Sequence, residues 1–218
     1  MWRRVKDLLR PVKRTLFGPA PRAKNDYATH VPVLIGLSKI GPIKSVLELG
    51  SGKYSTLTFL NREVFPDLEV LDSFETDPDW AERVRELVKL DKRATMHVVD
   101  GPMVEAVGRI DLDVYDLVFV DDSSTSVDRA KTIQEVSRRT ADKSIVVIHD
   151  FEIQAYKNAS QSLQHRHTFR VFNPETGVLW NSNAKRKSKL RKIEAVIRKN
   201  SRYLELDDLA GWTRAFGD

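Results

Sequence analysis

The chain has no cysteine among its 218 residues, so it holds no disulfide, no thiolate nucleophile and no cysteine-ligated metal. No apolar run approaches the roughly 20 residues that cross a bilayer, and the opening Met1-Trp-Arg-Arg-Val-Lys6 lacks the apolar centre of a secretory signal. The expectation is a soluble, unsecreted protein of the cytoplasm. Internal repeats are absent. Ser160 stands four residues after Tyr156, which removes the Tyr-x-x-x-Lys pair of nicotinamide dehydrogenases. Asp121-Asp-Ser-Ser124 is unlike the Asn/Asp-Pro-Pro-aromatic stretch that holds exocyclic nitrogens in amino-methylating nucleic-acid enzymes. What remains is enough chain for one α/β domain with short additions and a core that needs no staples.

The formal net charge of +5 conceals a polarised chain. Residues 1–24 carry eight Lys/Arg against Asp7, residues 185–202 carry nine against Glu194, and everything else sums to −10. An acidic body with two basic ends is a different object from a uniformly basic nucleic-acid binder. Trp2, Val5, Leu9, Val12 and Leu16 recur at near-helical spacing among six basic residues, which makes residues 1–24 a basic amphipathic segment. Residues 25–183 are expected to form the main domain and 184–218 a basic helical C-terminal extension. The ends suit peripheral contact with an anionic inner-membrane surface, with nucleic acid as the alternative partner. Oligomeric state is not legible.

Tyr27 to Ile40 is helical in pattern and stops at Gly41-Pro42. Strands are then expected near 45–50, 69–75, 95–99, 115–121 and 144–149, alternating with helices near 54–63, 78–90, 102–109, 126–139 and 152–163. Such alternation signals a parallel sheet covered on both faces. His167 to Phe172 and Val178 to Trp180, separated by Asn173-Pro-Glu-Thr-Gly177, read as a terminal hairpin. The fold expectation is α/β, Rossmann-like and doubly wound, with a seven-stranded, mostly parallel sheet ending in an antiparallel hairpin.

The stretch Ser45-Val-Leu-Glu-Leu-Gly-Ser-Gly-Lys-Tyr-Ser-Thr56 carries the chemistry. A strand runs into an acid and a Gly-x-Gly turn, and the glycines let a ligand approach a helix N-terminus with no Cβ in the way. A dinucleotide fingerprint would place a third glycine at position 55, where this chain has Ser55. Glu48-x-Gly50-x-Gly52 instead resembles the first motif of class I S-adenosylmethionine-dependent methyltransferases, and the terminal hairpin after five βα units extends the resemblance over roughly residues 43–181. The match is strongest to bacterial small-molecule and sugar O-methyltransferases.

Ligands of open α/β sheets sit at the carboxyl ends of the strands, and here the residues leaving the strands are mostly acidic. Glu75, after the second strand, is suited to accept hydrogen bonds from both ribose hydroxyls, or to precede the helix start at Asp77-Pro78. The resemblance implies that Gly50, Ser51 and Gly52 wrap the methionine end of S-adenosyl-L-methionine, that Glu48 lies near its ammonium, and that Asp100-Gly101 contacts the adenine. Ser55 and Thr56 open the helix and either cap it or touch the cofactor carboxylate. Tyr115-Asp-Leu-Val-Phe-Val-Asp-Asp122 resembles the fourth motif of the small-molecule O-methyltransferases. In metal-assisted members the acid after this strand and an acid after the fifth share a divalent cation, which maps onto Asp121 and Asp150 with Mg²⁺ or Mn²⁺. Phe151 stands where those enzymes place an amide or second acid, and Ser124 where they place a lysine.

Without metal, Asp121, Asp122 or His149 is available as general base, and His30 precedes the first strand where it can fold over the transfer site. The functional expectation is methylation of a hydroxyl on a small molecule, sugar or glycan. Alternatives are an RNA-directed methyltransferase and a non-catalytic binding module that keeps only the cofactor fold.

Overall fold

A computed structural model describes residues 25–122, 125–182 and 185–217 of the chain. The amphipathic reading of residues 1–24 and the position of Ser124 lie outside the described residues. Seven strands form one sheet: β1 (Ser45–Leu49), β2 (Val70–Glu75), β3 (Ala94–Val98), β4 (Leu117–Val120), β5 (Ile145–Ile148), β6 (His165–Phe169) and β7 (Thr176–Trp180). Their order is β3-β2-β1-β4-β5-β7-β6, parallel except that β7 runs antiparallel to both β5 and β6. This is the doubly wound, hairpin-terminated sheet expected from the sequence. The hairpin strands sit a few residues from where the pattern put them, because the turn occupies 170–175 and Pro174 has no N–H to give a ladder.

The central strands are continuous apolar runs because both faces are covered. In β4, Leu117 and Phe119 join one core while Val118 and Val120 join the other, and all four are buried. The first core lies under α1 (Val31–Ser38), α2 (Lys53–Leu60), α7 (Arg186–Asn200) and α8 (Leu209–Gly217). The second lies under α4 (Met103–Arg109), α5 (Ser126–Arg139) and α6 (Gln154–Ala159), while α3 (Pro78–Val88) packs along β2 and β3. The helical pattern of residues 27–40 resolves into a single 3₁₀ turn, Asp26–Ala28, and then α1, whose first turn accommodates Pro32 where no N–H is required.

The basic C-terminal segment differs from the appendage that its charge suggested. Leu190, Ile193, Ile197 and Trp212 are buried in the first core, and a Cβ on Gly36 of α1 would overlap Ile193 of α7. The lysines and arginines of α7 after the half-buried Arg186 are the solvated side of a helix whose apolar stripe is integral to the domain. No helix among the described residues is long and apolar enough to cross a membrane.

Candidate active site

Strand order reverses between β1 and β4, and the carboxyl ends there open a cleft of about 760 Å³. One wall is the loop from β1 into α2. Gly50 has φ +88, and a Cβ on it would overlap the backbone carbonyl of Asp121, so the two chain crossings are in direct backbone contact. Gly52 has an ordinary extended φ of −150, and a Cβ there would meet only Ser55 Oγ at 3.0 Å. Its contribution is open space beside the cleft rather than an unusual backbone.

Glu75 lines the cleft and anchors this loop. Its Oε2 accepts from Ser51 N–H at 3.1 Å and Ser51 Oγ at 3.2 Å, and its Oε1 accepts from the amides of Thr76 at 2.7 Å and Asp77 at 3.0 Å. Asp77 caps α3 through Asp79 and Trp80 N–H, so the helix-start role that the sequence left open at Glu75 falls to Asp77. Trp80 also lines the cleft and donates its indole N–H to Ser51 O at 2.8 Å. Sequence reasoning missed Trp80. An aromatic one turn into the helix after the ribose-type acid was the available signal.

Glu48 and Thr56 are completely buried beneath the loop and do not line the cleft. Glu48 Oε2 accepts from Ser73 Oγ at 2.5 Å and Thr56 Oγ1 at 2.8 Å, and burial raises the Glu48 pKa to about 7. Its hydrogen bonds to Ser73 and Thr56 brace the turn from below. Ser51 and Ser55 do line the cleft, whereas Asp100 and Gly101 at the end of β3 lie outside its lining. The strand-end rule placed them on the right edge of the sheet but could not give their distance from the switch point.

The opposite wall gathers Asp121 and Asp122 after β4, His149 and Asp150 after β5, His30 before α1, and Arg129 from the first turns of α5. Arg129 was missed, since an arginine inside an amphipathic helix looks solvated in sequence. In the structure its side chain is 9% exposed, and one nitrogen, Nη1, lies 2.8 Å from both Asp121 Oδ1 and Asp150 Oδ2. The Tyr156 ring lies 5.6 Å from the guanidinium. Asp150 reaches this position with φ +54, a left-handed backbone that aspartate tolerates better than most residues.

This geometry corrects the Mg²⁺ or Mn²⁺ reading of Asp121 and Asp150. The space between their carboxylates is taken by a guanidinium, a fixed cation that bridges Asp121 Oδ1 and Asp150 Oδ2, so no ion can sit between this acid pair. Phe151 is equally explained. It is fully buried and packs face-on against the backbone of Gly177 in β7, so the residue after Asp150 is core.

His149 is 4% exposed and bonded at both ring nitrogens, Nδ1 to Asp121 Oδ2 at 3.2 Å and Nε2 to Thr29 Oγ1 at 2.9 Å. Burial works to lower the His149 pKa, but the charge and hydrogen bond of Asp121 outweigh it and hold the net value above the ordinary one. Burial likewise opposes ionisation of Asp121, yet His149 and then Arg129 keep its pKa below the usual carboxylate range. His30 is 2% exposed, its ring 4.9 Å from that of His149, and burial followed by the His149 charge lowers its pKa to about 3. Neither ring nitrogen of His30 has a hydrogen-bond partner among the described residues. Asp122 is buried, accepts from Thr132 Oγ1 at 2.8 Å, and is raised by burial to about 6, so its carboxyl is turned toward α5 rather than across the cleft.

Comparison with known proteins agrees with the fold. Residues 47–151 match the family model of a methyltransferase domain. No curated protein matches the chain. Among solved structures, a caffeoyl-CoA O-methyltransferase-like protein from Staphylococcus aureus superposes with TM-score 0.51 at 13% identity, covering 81% of this chain and 91% of its own. An S-adenosylhomocysteine-bound methyltransferase from Podospora anserina gives TM-score 0.54 at 15% identity, with 72% and 78% covered. The spermidine synthase of Thermotoga maritima gives 0.54 at 16%, with 77% and 65% covered, so this fold by itself does not choose a reaction.

Proposed function

We propose, for a chain whose residues 47–151 match the family model of a methyltransferase domain, that it is a class I S-adenosylmethionine-dependent enzyme and transfers the cofactor's methyl group to a hydroxyl of a small polyhydroxylated acceptor, a sugar or glycan. The observation that carries this reading is the division of the cleft. One wall is built from backbone amides, Gly50, Gly52 and Glu75, suited to the cofactor, and the facing wall carries Asp121, His149, Asp150 and His30. Glu75 takes the ribose hydroxyls, the loop of residues 50–52 takes the methionine end, and Trp80 offers a flat surface at the nucleoside end.

The acceptor enters past Tyr27, which is 77% exposed at the cleft mouth and provides an aromatic face for the C–H side of a sugar ring. Its hydroxyl attacks the sulfonium methyl in line. The O–C bond forms, the C–S bond breaks with its electron pair to sulfur, and the hydroxyl proton passes to the Asp121 and His149 pair. Arg129 holds both carboxylates in place while this occurs. For the wider surroundings we propose peripheral contact of the solvated face of α7 with an anionic inner-membrane surface, which would appear as liposome pelleting that weakens with salt.

The test of the reaction is mass-spectrometric detection of a methylated product after incubation with labelled S-adenosylmethionine and fractionated cell extract. Calorimetry should show low-micromolar cofactor binding, on the order of −7 to −8 kcal/mol. Tight nicotinamide-dinucleotide binding with none for the sulfonium cofactor would sink the reading. Methylation of RNA with a steep salt dependence would move the acceptor to nucleic acid.

A further inference from the structure

We propose that His30, His149 and Asp121 form a binding site for one divalent transition-metal ion, with open positions facing the cleft. One nitrogen from each histidine and one carboxylate oxygen of Asp121 lie within 4.8 Å of one another, and the two histidines are buried. His149 Nδ1 and Asp121 Oδ2 are 3.2 Å apart, the edge expected of a coordination shell with bonds of ~2.1 Å. The imidazole centroids are 4.9 Å apart with the rings at 82°, close to the ~5 Å separation that two imidazoles take when they share one ion at such bond lengths.

An independent observation points to a ligand. His30 is deeply buried with both ring nitrogens unpartnered among the described residues, an arrangement that costs on the order of 1–3 kcal/mol unless something fills it. The surroundings have the supporting hydrogen bonds of a metal site. Thr29 Oγ1 is 3.4 Å from Asp26 O, to which it donates, and is therefore free to accept from His149 Nε2–H, which leaves Nδ1 as the ligating nitrogen. Asp121 uses Oδ1 for Arg129, and the ion would replace the contact between its Oδ2 and His149 Nδ1, so the guanidinium orients the carboxylate without occupying this position. Two acids against one arginine leave one net negative charge. A divalent ion carrying one ionised hydroxyl brings that to zero.

Two imidazoles and one carboxylate suit zinc, iron or cobalt rather than magnesium, which prefers an all-oxygen shell. Resting on the methyl-transfer reading above, the open positions would take the acceptor hydroxyl and lower its pKa.

Cobalt(II) titration of chelator-stripped protein is the test, read by visible absorption and by calorimetry. The expected result is a ligand-field band at one equivalent, a raised melting temperature with cobalt or zinc, and neither with magnesium. His30→Gln should weaken cobalt binding on the order of 100-fold, and Thr29→Val by about 10-fold, because its hydroxyl holds the tautomer. Asp150→Asn, which keeps a side chain that tolerates the left-handed backbone, should bind cobalt within a few-fold of the native protein. Melting curves in chelator check that each variant is folded, and Thr29→Val keeps the test open should His30→Gln fail to fold. Absence of a cobalt band, an unchanged His30→Gln isotherm, or equal competition by magnesium each overturns the site. Methyl transfer by a protein that takes up no cobalt removes the metal site and leaves the reaction standing. Cobalt binding with no methyl transfer does the reverse.

Discussion

The two walls of the cleft solve the same problem of presenting polar groups in different ways. The β1–β2 wall uses backbone. Ser51, Thr76 and Asp77 amides converge on Glu75, and the shape of the loop follows from glycine. The β4–β5 wall uses buried side chains from distant parts of the chain, with Arg129, His149 and His30 packed around two acids. A backbone site is cheap to specify locally and tolerant of its surroundings. A side-chain site in low dielectric is sensitive to every partner, because removing one leaves a charge or a ring without compensation.

Gly50 is where the walls touch, and Gly50→Ala should have the largest effect. The added methyl meets the Asp121 carbonyl while φ is forced away from +88, so both walls move together. A loss of stability on the order of 3 kcal/mol or more, together with undetectable cofactor binding, is expected in thermal unfolding and calorimetry. Should Gly50→Ala bind cofactor normally, the tight apposition of the walls is not functional.

The acceptor wall breaks next. Asp121→Asn should lower turnover by about two to four orders of magnitude while cofactor binding stays nearly unchanged, since the lost interaction belongs to the acceptor step. Arg129→Gln should destabilise the fold by on the order of 3 kcal/mol, because Asp121 and Asp150 are left facing each other without their cation. A fully active Asp121→Asn enzyme would take that residue out of the mechanism.

On the cofactor wall, Glu75→Ala should weaken cofactor binding by about 1.5–3 kcal/mol through lost charge-assisted hydrogen bonds. Glu75→Gln separates the two duties of this residue. It retains one carbonyl oxygen for the loop amides but gives up the negative charge, so a binding loss as large as that of Ala would assign the effect to ribose recognition rather than to loop shape.

How much of this could be read from sequence follows the same divide. Glu48 to Thr56 form a contiguous turn whose glycines and flanking strand can be recognised within a dozen residues, and the sheet order follows from the alternation of elements. Arg129 and Trp80 show their place only in the fold, Arg129 by reaching Asp150, 21 residues on, and Trp80 by reaching Ser51, 29 residues back. Local pattern also misjudged α7. Its charges are visible in sequence, while the stripe of Leu190, Ile193 and Ile197 that docks it on α1 is diluted among them.

The smallest effects expected are slopes of stability against pH, and here the walls should oppose each other. Glu48 has its pKa raised from 4.5 to about 7, so between those values the folded state holds a proton that the unfolded state lacks, and stability falls as pH rises. His30 has its pKa lowered from 6.5 to about 3, so across that window the unfolded state holds the extra proton and stability rises with pH. Between about pH 4.5 and 6.5 the two contributions cancel, each being at most about 1.4 kcal/mol per pH unit. Denaturant unfolding of single variants at several pH values uncovers them. Relative to the native protein, Glu48→Gln should become more stable as pH rises through this window, and His30→Gln less stable. Subtraction of the native curve removes every other titrating group. Parallel curves for both variants would mean that neither side chain is held in the protonation state its burial implies, and the contrast between a braced turn and an uncompensated ring would fall.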